Sequence, residues 1–339
     1  MQEYKRKDEQ NYQLTEKQKE KLKAEKMYYR APGFDAGTLL WPLLMFAIYV
    51  ISATIVQLGM FLAEAISSGV SIDVLVTQAQ GNITDLVMQD FVLSALIYSI
   101  IQVIVFALFL NWRNKKEIDY FLKSHIKGRT VLQALIVALG LLGLSNLWMG
   151  LANSLAQNSD FWAKEVEKYE SLTTSFATDN VLLLVIAVCV LVPMAEELLF
   201  RGVFLSELRR VLPGGLAVVI IALLFGLAHG NLIQGTYAAL AGIALGFMYL
   251  WSGSIFASIL LHIFFNFFGT GLPMILEKYN VLENVNEMVF NKVMLVVSLV
   301  FLALAIIALI NLHKNKAEDT KPKPIKDPQF KEEEFYQSV

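Results

Sequence analysis

Residues 181–206 read VLLLVIAVCVLVPMAEELLFRGVFLS, an apolar run with two adjacent acids, Glu196 and Glu197, near its middle. A bilayer core takes about 20 apolar residues per helix, so this run spans it. Leu198, Leu199, Phe200, Val203, Phe204 and Leu205 follow the acids, which therefore do not simply cap a helix end. Pro193 has no N–H and clashes with the carbonyl four residues earlier, which predicts a kink that leaves polar backbone beside the acids. Glu197 and Arg201 are four apart and share a helical face, the spacing of an ion pair, whereas Glu196 is rotated by about 100° from its neighbour. One acid is expected to be held and the other free.

Further apolar runs lie near 38–62, 91–111, 131–153, 214–232, 236–251, 254–272 and 291–312. The chain has 339 residues, 56% hydrophobic and only 17% charged, an apolar excess over soluble domains. The expected fold is all-α, a polytopic membrane protein of about eight transmembrane helices with the lipid bilayer as its solvent. A net charge of -2 excludes a nucleic-acid footprint. Cys189 is the single cysteine, so neither a disulfide nor a Cys-based metal site can form within the chain. The two halves show no self-similarity, which disfavours a transporter built on inverted repeats.

Loop charges orient these spans, because Lys and Arg favour the cytoplasmic side. Lys115, Lys116, Lys123 and Lys127 lie between the second and third runs, and Arg209 and Arg210 follow the fourth. Between the first two runs there are only acids, Glu64, Asp73, Asp85 and Asp90, and acids also prevail from Gln157 to Asn180. With eight spans both termini are cytoplasmic. Residues 1–34 read as a cytoplasmic polar tail, with Thr15 to Lys26 either an exposed helix or disordered. Residues 35–179 hold the first three transmembrane helices, 180–272 the chemically distinctive core, 273–312 a loop and the last span, and 313–339 a charged cytoplasmic tail.

From Val211 to Leu276 the chain has no Asp, Glu, Lys or Arg, yet it contains His229 and His262. Ionisable groups inside spans line a cavity or pair with one another, so these two need partners. His125 and His313 lie in a basic loop and at a span end, where solvation or headgroup contact accounts for them. His262 and Asn266 are four apart on one face, as are Phe225 and His229. Taken singly, Glu-Glu-x-x-x-Arg reads as a solvated helix end, and His-x-x-x-Asn as an interhelical hydrogen bond. Taken together, three successive helices each bring polar groups the others need, and a common site explains all of them. Gly242 and Gly246 form a GxxxG that reads as close helix packing.

Glu196-Glu197-Leu198-Leu199-Phe200-Arg201, Phe225-Gly226-Leu227-Ala228-His229 and His262-Ile263-Phe264-Phe265-Asn266 match in order the EExxxR, FxxxH and HxxxN/D motifs. In these motifs the chain resembles the CAAX prenyl protease and bacteriocin-processing family of intramembrane peptidases, also called the Abi family. The resemblance covers about residues 180–272. It implies an intramembrane endopeptidase acting on a membrane-associated peptide or protein. It also implies a role in protein processing, bacteriocin maturation, self-immunity or peptide signalling, in a bacterial plasma membrane.

Peptide hydrolysis needs an activated water, a group that polarises the carbonyl and a proton for the leaving amine. In one scheme Glu196 is the general base, His229 helps to hold the water, and His262 and Asn266 donate to the oxyanion, with no cofactor. In the other, His229, His262 and Glu196 or Glu197 hold Zn²⁺, following the His₂Glu logic of catalytic zinc sites. Glu197 is expected to support the site through Arg201. The alternative from another class is a non-catalytic self-immunity or scaffold protein.

Overall fold

A computed structural model describes residues 29–30, 36–67, 69, 91–114, 126–174, 180–281, 283, 285–316 and 325–326. Thr15 to Lys26, the loop lysines Lys115, Lys116 and Lys123, and His125 lie outside these residues. The described residues form helices α1 (Ala36–Ser67), α2 (Phe91–Asn114), α3 (Gly128–Ala156) and α4 (Asp160–Thr174). They continue with α5 (Val181–Leu208), α6 (Gly214–Ala228), α7 (Leu232–Ser252), α8 (Ile255–Lys278) and α9 (Glu287–Lys314).

Seven of these helices are long and apolar enough to cross a membrane, and α6 is a shorter apolar helix of 15 residues. Each expected run thus becomes a helix, and the fold is all-α, polytopic and membrane-embedded. A two-residue antiparallel ladder pairs Tyr29–Arg30 with Ile325–Lys326, which brings the chain before α1 and the chain after α9 together.

The spans differ in enclosure. In α5, 56% of the most apolar window is buried within the protein, against 11% in α1, so α5 is central and α1 faces lipid. On one side α1 and α2 pack together and against α5. On the other, α3 packs along α9 and α8. The main core sits where α2, α5, α6 and α7 meet, filled by Phe106, Leu199, Phe200, Phe225 and Tyr249. A second core of smaller residues, with Ala134, Leu245, Ala257 and Ala305, joins α3, α7, α8 and α9.

Helices α6 and α7 form a close hairpin. A Cβ on Gly242 would meet Ala222 at 3.0 Å and one on Gly246 would meet Val218 at 2.8 Å, so the GxxxG of α7 is a packing face against α6. The turn between them sets the position of a functional candidate. The fifth apolar run is expected to reach residue 232, but α6 ends at Ala228, with His229 as its cap and Gly230 in the left-handed region at φ 67°. Asn231 then caps α7 by accepting from the Gln234 amide at 3.0 Å. A helix stop of this kind needs a left-handed residue, and glycine takes it without Cβ strain.

Helix α4 is not among the expected spans, because its 15 residues are largely polar. Its apolar side, with Trp162 and Val166, packs on Trp148, Ala152 and Ile233. The Trp148 indole donates to the Ile233 carbonyl at 3.0 Å, tying α3 to the start of α7 under this lid.

Arg209 and Arg210, expected as loop cations, are also buried. Arg210 Nη1 donates to Glu207 Oε2 at 2.6 Å and Arg113 Nε to Glu207 Oε1 at 2.8 Å. Part of that basic segment therefore neutralises an acid at the end of α5.

Candidate active site

The acids of α5 sit in a short α-helical stretch, Val192–Glu197, between two π-helical stretches, Val185–Leu191 and Leu198–Leu205. Where the sequence predicts a kink, the helix changes its hydrogen-bond register. The Val192 amide donates to the Ala187 carbonyl, five residues back. Continued by one residue, that register would pair the amide of residue 193 with the Val188 carbonyl, but Pro193 has no N–H. The Asn266 side-chain amide fills the vacancy from α8, donating to Val188 O at 3.1 Å. Interruptions of this type recur at functional sites, since they turn side chains out of simple helical succession.

Glu197 is saturated. Its Oε1 accepts from Arg201 Nη1 at 2.7 Å and from His262 Nδ1 at 2.9 Å, and its Oε2 accepts from the Ser258 hydroxyl. Next to an arginine a carboxylate offers only acceptors, so the ring proton between Glu197 and His262 belongs on Nδ1. Arg201 is equally occupied, with Nη2 donating to the Gly242 carbonyl at 3.1 Å and its guanidinium 4.9 Å from the centre of the Phe225 ring. Glu197 and Arg201 are 0% and 1% exposed. A pair this deep is helped to hold by the further hydrogen bonds from His262 and Ser258 to Glu197 and from Arg201 to the Gly242 carbonyl.

Glu196 differs. Tyr49 of α1 donates its hydroxyl to Oε1 at 3.1 Å, while Oε2 lies 3.7 Å from His262 Nε2. That second separation exceeds a direct hydrogen bond and leaves room for a third group shared by both atoms. His229 Nδ1 donates to the Phe225 carbonyl at 2.8 Å, which leaves Nε2 of the neutral ring as an acceptor. Phe225 meets the edges or faces of both imidazoles, with ring centres 4.8 Å from His229 and 5.8 Å from His262.

Glu196, His229, His262 and Asn266 all line one cavity of about 590 Å³, and Glu197 and Arg201 lie behind its wall. Tyr49 and Tyr98 from α1 and α2, and Tyr169 from α4, are also among its lining residues. The six residues singled out in the sequence are thus brought together, in two sets: four on the cavity and two bracing it. Among the described residues, no three His, Cys, Asp or Glu side chains are arranged to hold one metal ion. His262 Nδ1 and both Glu197 oxygens are engaged, which leaves His262 Nε2, His229 Nε2 and Glu196 Oε2 as the atoms on which the zinc scheme would draw.

Sequence reasoning missed Ser258 and Tyr49. Ser258 carries a signal, for it precedes His262 by the same four residues that separate His262 from Asn266, and so shares their face. Tyr49 carries none, lying 147 residues before its partner in an ordinary apolar run.

No curated protein and no solved structure matches the chain. Residues 178–268 match the family model described as Type II CAAX prenyl endopeptidase Rce1-like, consistent with the family its three motifs resemble, and this supports CAAX-type membrane protease activity at the family level.

Proposed function

We propose that the chain is an intramembrane endopeptidase that hydrolyses a peptide bond of a membrane-associated peptide or protein through water activated by Glu196. The observation that carries this reading is the asymmetry of the two acids. Glu197 has both oxygens engaged behind the wall, whereas Glu196 lines the cavity with Oε2 turned toward His262.

In this mechanism Glu196 Oε2 and His229 Nε2 hold a water. Glu196 takes one proton as the oxygen attacks the carbonyl carbon. The developing oxyanion is met by His262 Nε2 and by the amide hydrogen of Asn266 not used on Val188. To donate from both nitrogens His262 carries both ring protons, with Glu196 and Glu197 on either side to balance its charge. The C–N bond then breaks and Glu196 returns its proton to the leaving nitrogen, so that one water is consumed per bond. No step passes through a metal.

The lining contains no Lys or Arg among the described residues, which speaks against an acidic segment as the part of the substrate that enters. We place the protein in a bacterial plasma membrane with both termini cytoplasmic; the pairing of Tyr29–Arg30 with Ile325–Lys326 supports a common side for the two ends.

The test compares new peptide termini in membranes holding the native chain with those holding Glu196→Ala at equal abundance. Termini found only with the native chain are expected and name the substrate. Identical profiles, under conditions where the protein exerts its biological effect, would replace this reading with a non-catalytic immunity or scaffold role.

A further inference from the structure

Helices α1 and α2 lie outside the matched residues 178–268, yet α1 reaches the candidate base and α2 holds α1 there. Tyr49 is in the middle of α1, the span least enclosed by protein, where a hydroxyl without a partner would be costly in lipid. It points inward, onto the Glu196 carboxylate at 3.1 Å. Its backbone is gripped as well. Gln102, a buried residue of α2, donates Nε2 to the Tyr49 carbonyl at 2.9 Å and to the Ser52 hydroxyl at 3.0 Å. Phe46 stacks on the Tyr49 ring, with centres 6.2 Å apart. Polar groups placed this deep in spans mark function more often than packing.

We infer that Tyr49 is a positioning residue for Glu196, supplied to the matched core by α1. This rests on the reading of Glu196 as the base. A carboxylate has two oxygens, and a base acting on one bound water works through only one of them. By donating to Oε1, Tyr49 leaves Oε2 as the oxygen that faces His262 Nε2 and fixes rotation about the terminal bond of Glu196. It also opposes the alternative in which Glu196 swings onto His262 and closes the 3.7 Å gap that the mechanism needs open. The consequence is that the core matched to the family is incomplete on its own: its base is aimed by a helix that begins more than a hundred residues earlier.

The test uses the full chain in proteoliposomes. Tyr49→Phe keeps the ring and removes only the hydroxyl. With a quenched-fluorescent peptide copied from a junction that the native chain cuts, kcat should fall roughly ten- to a hundredfold while KM and Tm stay as in the native protein. Gln102→Leu, which loosens α1 against α2 without touching Glu196, should lower Tm and leave a smaller effect on kcat. An infrared measurement reads the contact without turnover: the carboxylate band lost in Glu196→Gln should shift in Tyr49→Phe. An unchanged kcat in Tyr49→Phe, or an unshifted band, overturns the inference. A native protein that cuts no peptide while the band still shifts would retain the contact and overturn the peptidase reading instead.

Discussion

Asn266 donates its side-chain amide to the carbonyl of Val188, the backbone oxygen that Pro193 leaves without a helical donor. A defect in one helix is thereby the anchor for a candidate site residue of another. Restoring the missing N–H should release that anchor. Pro193→Ala is expected to pair residue 193 with Val188, turn Asn266 loose and lower kcat about tenfold, the equivalent of ~1.4 kcal/mol in the barrier. Tm should hold or rise, since the helix gains a hydrogen bond. Parallel measurement of kcat and Tm checks both.

The two adjacent acids should separate cleanly on mutation. Glu196→Gln is expected to keep Tm near the native value while lowering cleavage by roughly 10²–10⁴-fold, the range for loss of a general base. Glu197→Ala strands Arg201, which is 1% exposed, and should cost about 3–5 kcal/mol of stability. Arg201→Ala should do the same from the other side. Thermal unfolding in detergent beside a cleavage assay distinguishes the two classes.

Zinc dependence can be decided directly. With Glu196 working alone, exhaustive treatment with a chelator should leave the cleavage rate of the purified protein unchanged, and added Zn²⁺ should not raise it. Loss on chelation with recovery specific to Zn²⁺ would transfer the water to a metal held by His229, His262 and a glutamate.

The α6–α7 hairpin makes a steric prediction. A Cβ at Gly226 would lie 2.5 Å from the Gly235 carbonyl and 2.8 Å from Ala239, with backbone on one side and no flexible side chain to yield. Gly226→Ala should therefore cost roughly 1–3 kcal/mol and shift His229, three residues on. Gly150→Ala in α3, where nothing lies within 4 Å, should be neutral or mildly stabilising. Comparing the two Tm shifts tests the fit.

The spans were legible because a lipid-crossing helix must be apolar for about 20 residues, a signal that survives without any tertiary information. Helix α4 lacks that signal, and only Trp162 and Val166 meeting Trp148 and Ile233 explain why its polar segment docks. That Glu197 rather than Glu196 pairs with Arg201 was readable from the four-residue step between them, which is local geometry. The length of α6 was obscured because apolar residues run on toward Leu232, while the stop depends on Gly230 taking a left-handed turn. Pro193 announced a break in α5, but that the freed oxygen would be taken by Asn266 depends on how α8 packs. Tyr49 lay beyond local reasoning altogether, since nothing in α1 announces which of its faces meets Glu196.

Helix α6 carries a consequence for the surrounding lipid. Its 15 residues rise only about 22 Å, short of a hydrocarbon layer of ~30 Å, and its end is where His229 stands. Lipids beside it must thin or let headgroups dip inward to meet it. Under the proposed reading hydrolysis consumes water in a layer that otherwise excludes it, and this shallow spot is the expected point of entry for that water. The thickness of the membrane then acts as a throttle on the reaction: short acyl chains should fit the dimple and speed turnover, and long ones should starve it.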